Sequence, residues 1–189
     1  MDELENEIKK AVEVLLSGGT IIYPTETVWG MGCDATNEDA ISKIFKIKNR
    51  AQSNSLVALV SSENMLNQYI NINNLNDWEL NIYNDKILTI IFPCATGLSK
   101  NILAEDKSAA IRITTDVFCK KLIKKFGKPI VSTSANLSGE QPAKSLASIN
   151  PAILGKVDYV VNLPERIGSG KPSTIVKLLP QGKIKVIRE

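Results

Sequence analysis

The chain has 189 residues, 43% hydrophobic and 23% charged, which is the size and composition of one globular domain with a buried core. It contains no histidine, so Ser-His-Asp triads, Cys-His pairs and histidine-ligated metals are removed together, and chemistry must rest on Lys, Arg, hydroxyls, amides or carboxylates. A net charge of +3 suits an anionic ligand without the asymmetry of a dedicated nucleic-acid binder, and three scattered cysteines argue against a disulfide framework or a four-ligand zinc site. The acidic N-terminus lacks the pattern of a secretory signal, and no apolar run reaches the roughly 20 residues of a membrane helix, so a cytoplasmic location is expected.

In chain order, Asp2 to Leu16 puts Leu4, Ile8, Ala11, Val12 and Leu15 on one helical face, with Gly18-Gly19 as the stop. Thr20 to Tyr23 reads as a short buried strand ended by Pro24. Asn37 is the expected N-cap of a helix through Lys48, followed by a strand from Leu56 to Val60. Further helices are predicted over Ser62 to Ile70, Asp116 to Phe126 with Gly127 as its stop, and Lys144 to Ile149. Strands are predicted at Ile87 to Phe92, Ala109 to Thr114, Pro129 to Ser132, Tyr159 to Val161, Ser173 to Leu178 and Lys183 to Ile187. The stretch from Asn67 to Asn84 carries the least pattern. Interleaved strands and helices predict a twisted, mixed sheet covered by helices, within one domain over 1–189.

Three segments could carry chemistry. At 100° per residue, Lys48 returns to the apolar stripe of its helix while Lys43 and Lys46 point away. An inward lysine needs an anionic partner, whereas a lysine near a helix C-terminus can simply favour the dipole; periodicity alone leaves both readings of Lys48 open. Pro129 to Gly139 is an apolar strand opening into small hydroxyl and amide residues, which reads either as an anion cradle or as a turn. No Gly-Lys-Ser/Thr occurs, so it is not a Walker loop. In Ala110-Ile111-Arg112-Ile113-Thr114, alternation sets Arg112 beside Ala110 and Thr114, with Ile111 and Ile113 buried opposite. That arginine could grip a carboxylate or phosphate, lie on a solvated face or close an internal ion pair. Tyr23 to Gly32 leaves a strand through proline and two glycines, which suits a pocket wall or any strand-exit loop.

Together, Tyr23-Pro24-Thr25-Glu26-Thr27 with Gly30 and Gly32, the Lys48-Asn49-Arg50 triplet, Arg112, Ser132 to Gly139 and Ser173-Thr174-Ile175-Val176 resemble the YrdC family from about Gly18 onward. The resemblance implies an α+β, three-layer fold with a twisted mixed sheet around a deep basic cavity. It implies a reaction joining L-threonine, bicarbonate and ATP, with Mg²⁺ on the nucleotide, into threonylcarbamoyl-adenylate and pyrophosphate for tRNA modification. By motif, Lys48, Arg50, Ser134 and Asn136 become the catalytic cluster around ATP, joined by Ser132 and Arg188, while Thr25, Arg112 and Ser173 become the threonine site. Partners implied are tRNA or double-stranded RNA and a downstream tRNA threonylcarbamoyl transferase complex.

The chain departs from the family pattern where Asn84-Asp85-Lys86-Ile87-Leu88 stands in place of a Trp-Pro-Gly-Pro stretch, and where Ala51 replaces a proline. Two other readings stay open: an RNA-binding module of the same fold, disfavoured by an aromatic content of only 5%, and a paralogue making a different adenylate.

Overall fold

The computed structural model describes residues 2–49, 56–71, 87–163 and 166–189. Among these, fourteen α-helices and β-strands follow in chain order: α1 (Glu3–Leu16), β1 (Ile21–Tyr23), β2 (Gly30–Gly32), α2 (Glu38–Lys48), β3 (Val57–Val60), α3 (Glu63–Leu66), β4 (Leu88–Phe92), β5 (Ala109–Ile113), α4 (Val117–Phe126), β6 (Ile130–Ser134), α5 (Pro151–Leu154), β7 (Tyr159–Val160), β8 (Thr174–Leu178) and β9 (Ile184–Arg188). The strands form one mixed sheet in the order β7-β1-β2-β6-β3-β5-β4-β8-β9. The pairings β1/β7, β3/β5 and β4/β8 are parallel and the other five antiparallel.

Helix ends are fixed by the residues that favour them. The side chains of Asp2, Asn37 and Asp116 accept from backbone N–H groups in the first turns of α1, α2 and α4. Gly127 closes α4 in the left-handed region, and Asn49 does the same for α2. The apolar stripe of α1 (Ile8, Val12, Leu15) and that of α4 (Phe118, Leu122, Ile123) share one core with Ile21, Tyr23, Leu59 and Ile130 of the sheet. On the opposite face, Ile41, Ile44 and Phe45 of α2 pack with Met31, Ala58, Ile111 and Val131. The layers are therefore helix, sheet and helix, but α1 and α4 cover only the first half of their face. Beside these helices depressions open, one over β4, β5 and β8 and one reaching from β2 and β6 across β3 and β5 to β8 and β9.

Several sequence expectations change. The segment Gly30-Met31-Gly32 is a strand, because only residues without a side chain let its neighbours close in: a Cβ on Gly32 would lie 2.1 Å from the Val131 carbonyl oxygen. The helix expected over Ser62 to Ile70 shrinks to the single turn of α3, and that over Lys144 to Ile149 to a 3₁₀ turn at Leu146–Ser148, each capped by a serine. Neither segment has enough apolar periodicity to extend further. The turn of α5, led by Pro151 after Asn150, was not expected. Ile113 is 40% exposed rather than buried, since it sits at the open end of β5. Most of the stretch from Asn67 to Asn84, and most of the Asn84 to Leu88 segment, lies outside the described residues.

One carboxylate ties the first helix to the sheet edge. Glu7 accepts from the Tyr159 hydroxyl at 2.6 Å, from the Asn162 N–H at 2.6 Å and from Lys10 at 3.1 Å. Burial pushes its carboxyl up, but these donors outweigh burial and hold it below its ordinary value. A lowered folded value means that the stabilisation is full above the ordinary carboxylate range and is lost as pH falls through the folded value. Glu7→Gln is therefore expected to lower the thermal midpoint at neutral pH, and the gap from the unaltered protein should shrink below about pH 4. Thermal denaturation across pH checks this; a gap that stays constant on acidification contradicts it.

Candidate active site

Across the middle of the sheet a pocket of about 320 Å³ is lined by residues from several separated segments, among them Thr25, Arg112, Ser132, Ser134, Ser173 and Arg188. Strand alternation delivers Arg112 from the middle of β5, where it is only 6% exposed. Ser132 and Ser134 stand two apart on β6 and so share a face. Arg188 arrives by a different device. The register of β9 against β8 slips between Ile175 and Val176, so Arg188 opposes Ile175, which also lines the pocket. Its guanidinium donates twice to the Ser173 carbonyl, at 2.8 and 3.2 Å. Partial burial, and then the charge of Arg112, hold Arg188 below the ordinary arginine value, so the two cations feel each other across the same space.

The hydroxyl groups are committed in part. Thr25 Oγ1 donates to the Val28 carbonyl at 2.6 Å and accepts from the N–H groups of Thr27 and Val28, so it organises the turn after β1. Ser173 Oγ pairs with Thr89 Oγ1 at 2.8 Å in a buried contact. Residues 166–172 cross the turn as a strap: Gly170 N–H donates to the Thr27 carbonyl at 2.8 Å, Ser169 N–H to the Glu26 carbonyl, and the Trp29 indole to the Arg166 carbonyl. Gly168 lies so close that a Cβ there would sit 2.2 Å from the Thr27 oxygen.

Lys48 points inward, as its helical phase requires, and Lys43 and Lys46 point out. Its ammonium, however, does not line the pocket. It donates to the Ser134 carbonyl and, at 2.7 Å, to the Asn136 carbonyl, while Ser138 N–H returns a bond to the Lys48 carbonyl. The partial negative charge that offsets the buried lysine thus includes two backbone oxygens of the β6 exit. Asn136 is likewise behind the pocket wall: its amide nitrogen donates to the carbonyls of Leu137 and Glu140, and its Oδ1 is buried without a hydrogen-bond partner among the described residues. Arg50 lies outside the described residues.

Of the residues singled out from sequence, six surround one pocket and two, Lys48 and Asn136, build the loop beside it. Glu26 and Thr27 received no role from the sequence, although a carboxylate between two threonines in a largely buried stretch is a signal in itself, because a buried charge requires a partner. That partner is Arg112, with Nε 3.3 Å from Oε1. A larger depression of about 630 Å³ lies under residues 101–108, but its one lining cation, Lys177, is already paired with Asp106 at 2.9 Å. We therefore assign the site to the smaller pocket with the two arginines. Among the described residues no cluster of three carboxylates or cysteines could hold a metal ion, and no helix is long and apolar enough to cross a membrane.

A mixed sheet that turns two guanidinium groups and a hydroxyl-bearing strand exit toward one pocket has the chemistry of a site for small anionic ligands. The chain belongs to the Sua5/YciO/YrdC family, whose model, described as "Telomere recombination", matches residues 13–189. It is 35% identical over 159 residues to threonylcarbamoyl-AMP synthase of Xanthomonas campestris pv. campestris, covering 82% of this chain and 85% of that protein. The synthase of Xanthomonas euvesicatoria pv. vesicatoria is also 35% identical, over 163 residues. Among solved structures, P. abyssi Sua5 complexed with L-threonine superposes with a TM-score of 0.84 at 24% identity, all of this chain matching 54% of that one. E. coli YciO gives a TM-score of 0.82 at 23% identity, covering 98% of this chain and 89% of its own. Both structural likenesses establish the mixed, large-sheet fold.

Removing the Lys48 ammonium leaves buried carbonyls short of a donor, at about 1–3 kcal/mol for each one left unpaired. Lys48→Ala is thus expected to lower the unfolding free energy as well as any activity, whereas Lys43→Ala, whose exposed amine donates to the Gly18 carbonyl, should stay within about 0.5 kcal/mol of the unaltered protein. Denaturant unfolding of both variants checks this; equal stability of the two contradicts the grip of Lys48 on the loop.

Proposed function

We propose that the chain forms threonylcarbamoyl-adenylate and pyrophosphate from L-threonine, bicarbonate and ATP. The observation that carries the reading is the convergence of Arg112 and Arg188 on one hydroxyl-lined pocket, in a chain 35% identical to curated synthases over most of its length.

The chemistry asks mainly for the holding of anions. The threonine amine attacks the bicarbonate carbon with loss of water to give a carbamate. A carbamate oxygen then attacks the α-phosphorus of ATP, forming the mixed anhydride and releasing pyrophosphate. No protein nucleophile is needed, so a chain without histidine can serve, and its contribution is orientation and electrostatic stabilisation. In this reading Arg112 takes the threonine carboxylate, with Ser173 beside it and Thr25 shaping the wall. Ser132, Ser134 and Arg188 face the nucleotide, and the Ser134 to Asn136 segment, steadied by Lys48, presents the phosphate side together with Arg50. Mg²⁺ fits as a companion of the ATP phosphates, since that ion typically keeps much of its coordination in water and phosphate oxygens. The deep basic cavity, the tRNA pathway, a receiving threonylcarbamoyl transferase complex and a cytoplasmic location all belong to the same reading. The labile adenylate calls for a prompt acceptor.

Incubation with ATP, Mg²⁺ and labelled bicarbonate, with and without L-threonine, tests it. Pyrophosphate release that depends on both threonine and bicarbonate, with label in a nucleotide product, is expected. ATP binding without turnover would instead favour a paralogue or an RNA-binding module, and a steep loss of RNA affinity with salt would identify the latter. Arg112→Lys should raise the KM for threonine by about 10–100-fold, because an ammonium cannot repeat the two-pronged grip of a guanidinium on a carboxylate. Steady-state kinetics reads this, and an unchanged KM would remove Arg112 from the carboxylate site.

A further inference from the structure

Glu26 occupies a position that none of the roles given so far explains. Its side chain is 10% exposed and that of Arg112 6%, so a full negative and a full positive charge stand together in a nearly dry place. Arg112 Nε and Glu26 Oε1 are 3.3 Å apart, close enough for an ion pair, yet the angles are wrong for a hydrogen bond, and both atoms are buried without a hydrogen-bond partner among the described residues. The other carboxylate oxygen, Oε2, is fixed by the hydroxyl of fully buried Thr114 at 3.0 Å. Thr114 is in turn held by its N–H on the Val60 carbonyl, and its hydroxyl accepts from the N–H of Asp116, the N-cap of α4. The backbone carbonyl of Glu26 accepts from Ser169 in the strap over the pocket. One residue therefore joins the arginine of the floor to the strap of the roof.

The two arginines define the problem this solves. Arg112 and Arg188 face the same pocket, and Glu26 is the only carboxylate in an ion pair with either among the described residues. Without a counter-charge, a buried guanidinium beside a second one would turn toward water, and the fork needed to meet a carboxylate would be lost. A carboxylate in full two-pronged contact would fix the guanidinium equally well, but it would occupy the same donors the ligand needs. The misaligned contact does neither: it supplies charge without taking the terminal N–H groups.

We propose that Glu26, fixed by Thr114, is a positioning residue that holds Arg112 in place, buried and with its terminal donors open toward an amino-acid carboxylate. The inference rests on the proposed function for the identity of that ligand. It makes Glu26 a determinant of amino-acid affinity rather than of ATP affinity or of the chemical step.

The test uses the full chain and two variants, Glu26→Gln, which keeps size and an acceptor for Thr114 while removing the charge, and Thr114→Val, which keeps both charges and frees the carboxylate. L-threonine binding is read by titration calorimetry, KM and kcat by steady-state assay, and folding by thermal denaturation. Glu26→Gln should weaken threonine binding and raise its KM by about tenfold or more, with kcat at saturating threonine and the KM for ATP within about threefold of the unaltered protein. Glu26→Asp should recover part of the loss, and Thr114→Val should weaken threonine binding in the same direction by a smaller factor. Unchanged or tighter threonine binding in Glu26→Gln overturns the proposal, the tighter case because it would make Glu26 a competitor of the ligand. Parallel loss of threonine and ATP affinity overturns it in favour of a general structural role. Should Glu26→Gln fail to fold, Thr114→Val decides alone, and normal threonine affinity there overturns the proposal. Failure of the unaltered protein to bind threonine at all would instead sink the reading of the ligand, so the two failures are distinct.

Discussion

A protonated amine almost out of reach of water sets the constraint on which the site depends. The Lys48 ammonium at the end of α2 is held by the carbonyls of Ser134 and Asn136, and the Lys48 carbonyl receives Ser138 in return. Helix and strand exit lie on different elements far apart in sequence, and this grip makes them one unit. Around it the loop is further tied by its own side chains, with Asn136 holding two carbonyls and Glu140 accepting from the Leu137 N–H at 3.1 Å. A loop that would otherwise be a run of small turn residues thereby acquires a fixed shape next to the pocket.

The same logic of buried charge governs the other side of the pocket, with a different solution. There the cation is paired with a carboxylate rather than with carbonyls, and the pairing is loose in angle. Lys48 spends donors on the protein itself, whereas Arg112 keeps donors for use. The contrast separates a cation whose donors hold the scaffold from one whose terminal donors are left toward the pocket, a division that charge alone does not reveal.

Much of this could be read from the sequence, and the exceptions have physical reasons. Helical phase correctly turned Lys48 inward and Lys43 and Lys46 outward, because 3.6-residue periodicity is a local property. It could not show that backbone oxygens of a strand more than eighty residues away receive the ammonium. Strand alternation likewise brought Arg112 to the right face, but its partner Glu26 belongs to a loop whose path depends on Gly168 of the strap lying close against the Thr27 backbone. Strand β2 escaped notice since its glycines have meaning only through the approach of Val131 and Tyr23, a long-range fact. Arg188 was reached only through resemblance: its position on the pocket face follows from a slip in pairing that no composition records.

That slip links affinity to architecture. β9 lies at the border of the sheet, bonded on one side only, and Val186 and Ile187 remain largely uncovered. The guanidinium of Arg188 nevertheless reaches across to the Ser173 carbonyl inside. Displacement of the border strand would carry that positive charge out of the pocket. The charge of the pocket and the pairing of β8 with β9 are therefore not independent: a border strand joined to one neighbour in the sheet carries one of the two guanidinium groups that the pocket presents.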